Sequence, residues 1–210
     1  IKEQQLISRY LDKKTDQIDS LIDKIQKKIE PLKEQRTSLI NQCVTKGLDP
    51  NVEMKDSGIE WIGEIPKHWE VTKLRYKTHK IGSGVTPKGG SDVYIDDGVM
   101  FLRSQNIHFD GLRLDDVAHI SEEIHADMIG SQVNVNDILI NITGGSIGRC
   151  CVVESSENFN VNQHVCIVRP NSQLNPYFLN AVLSSKVGQQ QVLWNITGSG
   201  REGLNFNNLG

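Results

Sequence analysis

Ile18-Asp19-Ser20-Leu21-Ile22-Asp23-Lys24-Ile25-Gln26-Lys27-Lys28-Ile29-Glu30-Pro31-Leu32 is the stretch that decides the architecture of this chain. Apolar residues recur in alternating steps of four and three: Ile18, Ile22, Ile25, Ile29 and Leu32. The same register runs back to Leu11 and on to Leu39. This spacing is a heptad seam along one face of an amphipathic helix. Leu21, Ile40 and Val44 widen the stripe, and Lys, Asp, Glu and Gln dominate the remainder. The pattern predicts a helical arm over residues 1–47, with Gly47 closing it as a glycine suits a helix end. About 45 residues at ~1.5 Å rise each would reach roughly 65 Å. Pro31 lacks an N–H and crowds the turn before it, so a bend near Lys27 and Lys28 is expected. Because Pro31 falls beside the seam, one bent helix is expected and not two.

An apolar stripe of this length needs a partner helix. The pairing residues are Leu11, Ile18, Ile22, Ile25, Ile29, Leu32 and Leu39. The partner is a second arm in a longer protein, a second copy of this chain, or another protein. Packing back onto the rest of the chain is the alternative, and the arm is long for one domain to cover. The chain starts at Ile1 and stops in a polar stretch, so it reads as part of a longer protein.

Residues 48–210 read as an α+β domain with a mixed or antiparallel sheet. Residues 48–60 form a linker rich in Asp, Asn, Pro and Gly, followed by a strap in which Trp61 and Trp69 flank a turn. Apolar runs bounded by turn residues predict strands over 71–75, 99–102, 117–120, 138–142, 150–153 and 161–168. Helical patterns cover 121–131 and 176–194, the second opened by Asn175-Pro176. No apolar run is long enough to span a membrane, and a cytoplasmic protein is expected. Cys43, Cys150, Cys151 and Cys166 match no metal pattern and read as buried or half-buried free thiols.

The net charge of −3 is unevenly spread. The arm carries +3 and the remainder −6. Within the acidic part, residues 67–88 hold Lys67, Lys73, Arg75, Lys77, Lys80 and Lys88 against Glu70 alone. Residues 110–127 reverse this, with six carboxylates against Arg113. A two-faced domain of this kind would offer its positive side to phosphates.

Three glycine-rich segments, 81–90, 142–149 and 197–204, fit neither a P-loop nor a dinucleotide fingerprint, so no cofactor is expected. No metal site, nucleophile elbow, nuclease or methyltransferase pattern is present, and no catalytic residue is assigned. What the loops share is a basic residue among glycines and hydroxyls, a composition suited to phosphate oxygens. Arg103-Ser104-Gln105-Asn106 and Asn162-Gln163-His164 add groups that can read base edges. The candidate DNA contacts are Lys73, Arg75, Lys77, Lys80, Ser83, Thr86, Lys88, Arg103, Ser104, Gln105, Asn106, Arg149, Asn162, Gln163, His164 and Arg201.

Several stretches resemble the specificity (S) subunits of type I restriction-modification systems: the arm, the strap Lys55–Pro66, Ile142-Thr143-Gly144-Gly145-Ser146-Ile147-Gly148, Asn162-Gln163-His164, and the Gly198…Arg201…Leu204 loop. The resemblance implies a non-catalytic subunit with one helical arm (1–47) and one target-recognition domain (48–210). It implies that this domain reads one half of a split target in double-stranded DNA. The partners it implies are modification (methyltransferase) subunits, a restriction subunit, and a second S-subunit half or a homodimer through the arm. A coiled-coil assembly module that binds protein and not DNA is the alternative left open here.

Overall fold

In the computed structural model, which describes residues 1–197 together with Gly203 and Leu204, the arm is one helix, α1 (Lys2–Lys46). Pro31 lies inside it without ending it. Gly47 closes it at φ +75°, donating its N–H to the Cys43 carbonyl at 3.1 Å. No residue of α1 is buried, and Leu11, Ile18, Ile25, Leu32 and Leu39 stay at least half exposed. Among the described residues the stripe therefore meets the domain only at its end, where Ile40 and Val44 are half-buried, and the rest of it is left uncovered. Among the described residues, only the base of the arm is fastened. Asn41 Oδ1 accepts the Lys186 N–H at 2.7 Å, and Lys46 Nζ donates to the Glu64 carbonyl at 2.8 Å.

The segment expected as a linker folds in part. β1 (Met54–Asp56) pairs with β2 (Glu64–Pro66) as an antiparallel strap. Trp61 meets Trp194 edge-on with centroids 4.5 Å apart, and Trp69 meets Phe178 at 6.5 Å, so the strap is held by the helical pair. The predicted strand at 71–75 is absent. Leu74–Lys77 form a 3-10 turn, and the strand is β3 (Thr78–Ser83). Val71 is exposed and only Leu74 reaches the core, whereas Ile81 sits opposite Val168 in the sheet.

The chain continues through β4 (Val99–Leu102), β5 (Ile107–His108), β6 (Gly111–Leu112), β7 (Ala118–Ile120) and α2 (Glu122–Asp127). After these come β8 (Gln132–Val133), β9 (Ile138–Asn141), β10 (Cys150–Val152), β11 (Phe159–Val161) and β12 (Val165–Pro170). The described residues end with α3 (Pro176–Ser184), α4 (Lys186–Trp194) and the pair β13 (Ile196–Thr197) and β14 (Gly203–Leu204). Ser121 caps α2 and Asn175 caps α3 through their side chains.

One sheet has the order β10-β9-β12-β3, all antiparallel. The other has the order β7-β4-β11-β8, with β4 and β11 parallel. The sheets stack between helices. Ile138, Ile140, Cys150, Val152, Cys166 and Val168 face α3 and α4, while Leu139, Cys151, Val153, Val165 and Ile167 face the second sheet. Both faces of these strands are buried, which is why they read as unbroken apolar runs. Burial pushes the thiols of Cys150, Cys151 and Cys166 up to about 12, while Cys43 is half-buried.

Two predicted elements are each divided in two. The strand expected over 161–168 is β11 and β12, which lie in different sheets and are separated by Asn162, Gln163 and His164. The helix expected over 176–194 breaks at Ser185. Its buried hydroxyl donates to the Val182 carbonyl at 2.6 Å and accepts the Gly188 N–H at 3.2 Å, ending α3 and starting α4.

Arg169 in β12 donates through Nε and a terminal nitrogen to both oxygens of the buried Asp137, each at 2.8 Å. These bonds hold the Arg169 guanidinium above its usual pKa. The same side chain reaches the Gln132 carbonyl of the second sheet at 3.3 Å. Replacing Asp137 by Ala leaves these donors unpaired and should cost about 2–4 kcal/mol. Urea unfolding followed by far-UV circular dichroism measures it, and an unshifted midpoint would contradict the assignment.

Candidate nucleic-acid interface

Strand direction gathers the loops. β3 and β9 both run against β12, so Ser83 faces Cys166 and Asn141 faces Val165 at the start of β12. In the other sheet β4 and β11 run side by side, with Leu102 next to Val161. Only Asn162, Gln163 and His164 separate β11 from β12, so the exits of β3, β4, β9 and β11 surround that corner. The surface is thus built from segments 83–88, 103–106, 142–149 and 162–164.

Hydrogen bonds lock these segments together. The Asn162 N–H donates to the Leu102 carbonyl at 3.1 Å, and the Gly84 N–H to the Val165 carbonyl at 2.9 Å. The Ile142 N–H donates to the His164 carbonyl at 3.0 Å. Thr143 Oγ1 and His164 Nδ1 are 2.7 Å apart. Gln189 on α4 donates Nε2 to the Gly148 carbonyl at 2.9 Å. Gly148 has φ +87°, and a Cβ there would sit 2.5 Å from Gln189 Oε1.

The predicted contacts fall into three groups. Ser83, Thr86, Lys88, Arg103, Ser104, Gln105, Arg149, Gln163 and His164 belong to the gathered segments. Gln105, Gln163 and Lys88 are exposed, and among the described residues no hydrogen bond or ion pair holds the ends of Lys88 or Arg149. Arg103 and Gln105 are already engaged. Arg103 donates to the Asp116 carbonyl at 3.3 Å and lies 5.9 Å from the Tyr94 ring centre, and Gln105 Nε2 donates to Asp116 Oδ2 at 2.9 Å. Any ligand of these two side chains competes with Asp116.

Asn106 and Asn162 are buried and hold the frame. Asn106 Oδ1 accepts the Arg103 N–H at 2.9 Å while its Nδ2 donates to the Arg113 carbonyl at 2.8 Å. Asn162 Oδ1 accepts the His164 N–H at 3.1 Å. These two amides shape the surface from beneath.

The lysine-rich stretch is placed elsewhere. Lys80 pairs with Arg169 and the Lys77 carbonyl accepts the Asn171 N–H, so both lie toward the start of β3, away from Ser83. Lys80 Nζ donates to the Gly130 carbonyl at 2.6 Å, and burial, aided by Arg169, lowers its pKa. Lys77 donates to Gln173 at 2.9 Å, and Lys73 and Arg75 are exposed before β3. Arg201 lies outside the described residues.

Sequence reasoning passed over Asn141 and Gln189. The available signal was polarity in an apolar setting: Asn141 stands between Ile140 and Ile142 in a strand that is otherwise wholly apolar.

Gly84 is required by close approach. A Cβ there would meet the Val161 carbonyl oxygen at 2.0 Å, while at Gly82 nothing lies within 4 Å. Gly84→Ala should destabilise the domain by about 2 kcal/mol or more through enforced backbone displacement, and Gly82→Ala should be nearly neutral. Thermal melts of the two variants check this, and equal melting temperatures would refute it.

No protein-family model matches the chain. Over its full length it is 29% identical to the type I restriction enzyme EcoBI specificity subunit of Escherichia coli, covering 45% of that protein. Over 59% of the chain it is 31% identical to the type I restriction enzyme MjaVIII specificity subunit of Methanocaldococcus jannaschii, covering 27% of it. The chain thus spans less than half the length of these curated relatives. Among solved structures, the HsdS subunit from Thermoanaerobacter tengcongensis superposes on 92% of the chain, with TM-score 0.53 at 14% identity, and 46% of that subunit is covered. A chain from a type I restriction-modification assembly matches 93% of it, with TM-score 0.52 at 13% identity over 44% of that chain. The chain is therefore similar to type I specificity subunits in sequence, and it shares their fold.

Proposed function

Taking the likeness to type I specificity subunits as premise, we propose that this chain reads one half of a split target in double-stranded DNA. It does so without catalysis of its own, in the cytoplasm. The observation that carries the proposal is the gathering of four glycine-, hydroxyl-, amide- and arginine-bearing segments at one end of two stacked sheets. Such a surface offers Arg103, Gln105, Arg149 and Gln163 together, the side-chain types that can pair with base edges. Glycine and hydroxyl groups among them suit close approach to phosphates. The net −6 of residues 47–210 opposes a duplex at long range, so binding depends on local cations and not on overall charge. Methylation falls to modification subunits and cleavage to a restriction subunit, with the exposed seam of the arm taking a second arm of the same kind.

Two outcomes follow. Each cation placed on a phosphate adds about −0.9 to the slope of log affinity against log salt. On a random-sequence duplex, which offers Arg103 and Arg149 no matching base edge, these two and Lys88 fall on phosphates, so the slope should be about −2.7 or steeper in fluorescence-anisotropy titrations. A flat dependence, or no binding at low salt, would sink the reading. The chain should also self-associate through its arm. Sedimentation equilibrium should show species above the monomer, reduced to monomer by Ile18→Lys with Ile25→Lys. A wild-type chain that stays strictly monomeric at high concentration would rule out homotypic pairing.

A further inference from the structure

We infer that Asn141 is a positioning residue of the reading surface, its side chain fixing the exit loop of one sheet against that of the other. The inference rests on the DNA-reading proposal. Asn141 is the last residue of β9 and is fully buried. A carboxamide in that setting is costly unless it bonds, and an apolar side chain would fill the site as well.

The bonds it makes join the two sheets. Its Nδ2 donates to the Ser104 carbonyl at 2.8 Å and to Ser146 Oγ at 3.0 Å. Ser104 follows β4 in the second sheet, and Ser146 lies in the loop that follows β9 in the first. Its main chain closes that same loop. The Asn141 N–H donates to the Arg149 carbonyl, and its carbonyl accepts the Gly148 N–H, both at 2.9 Å. One residue therefore sets how Arg103 and Gln105 stand relative to Arg149. Its Oδ1 is buried and accepts no bond among the described residues, so the carboxamide is held through its Nδ2 donors at the cost of an unmet acceptor.

Base-edge hydrogen bonds are directional and fail with small displacements, whereas attraction to phosphates falls slowly with distance. Loosening the Asn141 clamp should therefore reduce sequence preference more than affinity. A loss of fold alone would reduce both together.

The test uses the full chain and a pool of random duplexes, sequencing the bound fraction, with anisotropy titrations and thermal melts in parallel. The wild type should enrich a motif. Asn141→Ala should lower that enrichment roughly tenfold or more, the loss expected for one good bidentate contact. Affinity for an unselected duplex and its salt slope should stay within about twofold. Ser146→Ala removes one bond only. It should melt like the wild type and show a smaller loss of enrichment, so it decides the matter if Asn141→Ala fails to fold. Unchanged enrichment in a folded variant, or equal loss on selected and unselected duplexes, overturns the inference. A wild type that binds DNA but enriches no motif overturns the reading proposal and this inference with it.

Discussion

The corner at Asn162, Gln163 and His164 holds the rest of the domain in place. Over three residues the chain leaves one sheet and enters the other, so the sheets are stacked with β11 and β12 meeting at a fixed end. The turn is closed from within: the Asn162 carbonyl accepts the Val165 N–H and its side chain accepts the His164 N–H, each at 3.1 Å. Because β12 begins there, the antiparallel strands β3 and β9 must finish there, and β4, parallel to β11, must finish there too. The Asp137–Arg169 pair does the corresponding work at the other end, tying β12 to the turn before β9.

Local chemistry was well legible in the sequence. The arm, its glycine stop, the cap at Asn175, and the apolar strands β9 and β10 are set by residues near in sequence. What was not legible depends on partners far along the chain. A run such as Val161–Val168 looks the same whether it crosses one sheet or passes between two. Ser185 looks tolerable in a helix until its hydroxyl is buried against Val182 and Gly188. The strand drawn at 71–75 moved to 78–83 because pairing with β12, which adjoining residues do not disclose, selects Ile81 over Val71.

The site shows the same division. Composition picked out loops that the fold brings to one corner, where glycine, hydroxyl and basic residues stand in short segments. Position separated the candidates that composition had grouped. Asn106 and Asn162 hold the frame from inside, and Lys80 is committed to Gly130 at the far end of β3. The basic stretch was continuous along the chain but not in space, since a six-residue strand separates its two ends by roughly 16 Å.

Pro31 gives the arm a mechanical division. The carbonyl of Lys27, four residues earlier, has no N–H from Pro31 to accept, so the helix lacks one backbone bond at that turn. The base is clamped at Asn41 and Lys46. The arm therefore divides into an anchored stub of about 24 Å between Pro31 and its base and a longer span of about 44 Å beyond, joined where one backbone hydrogen bond is missing.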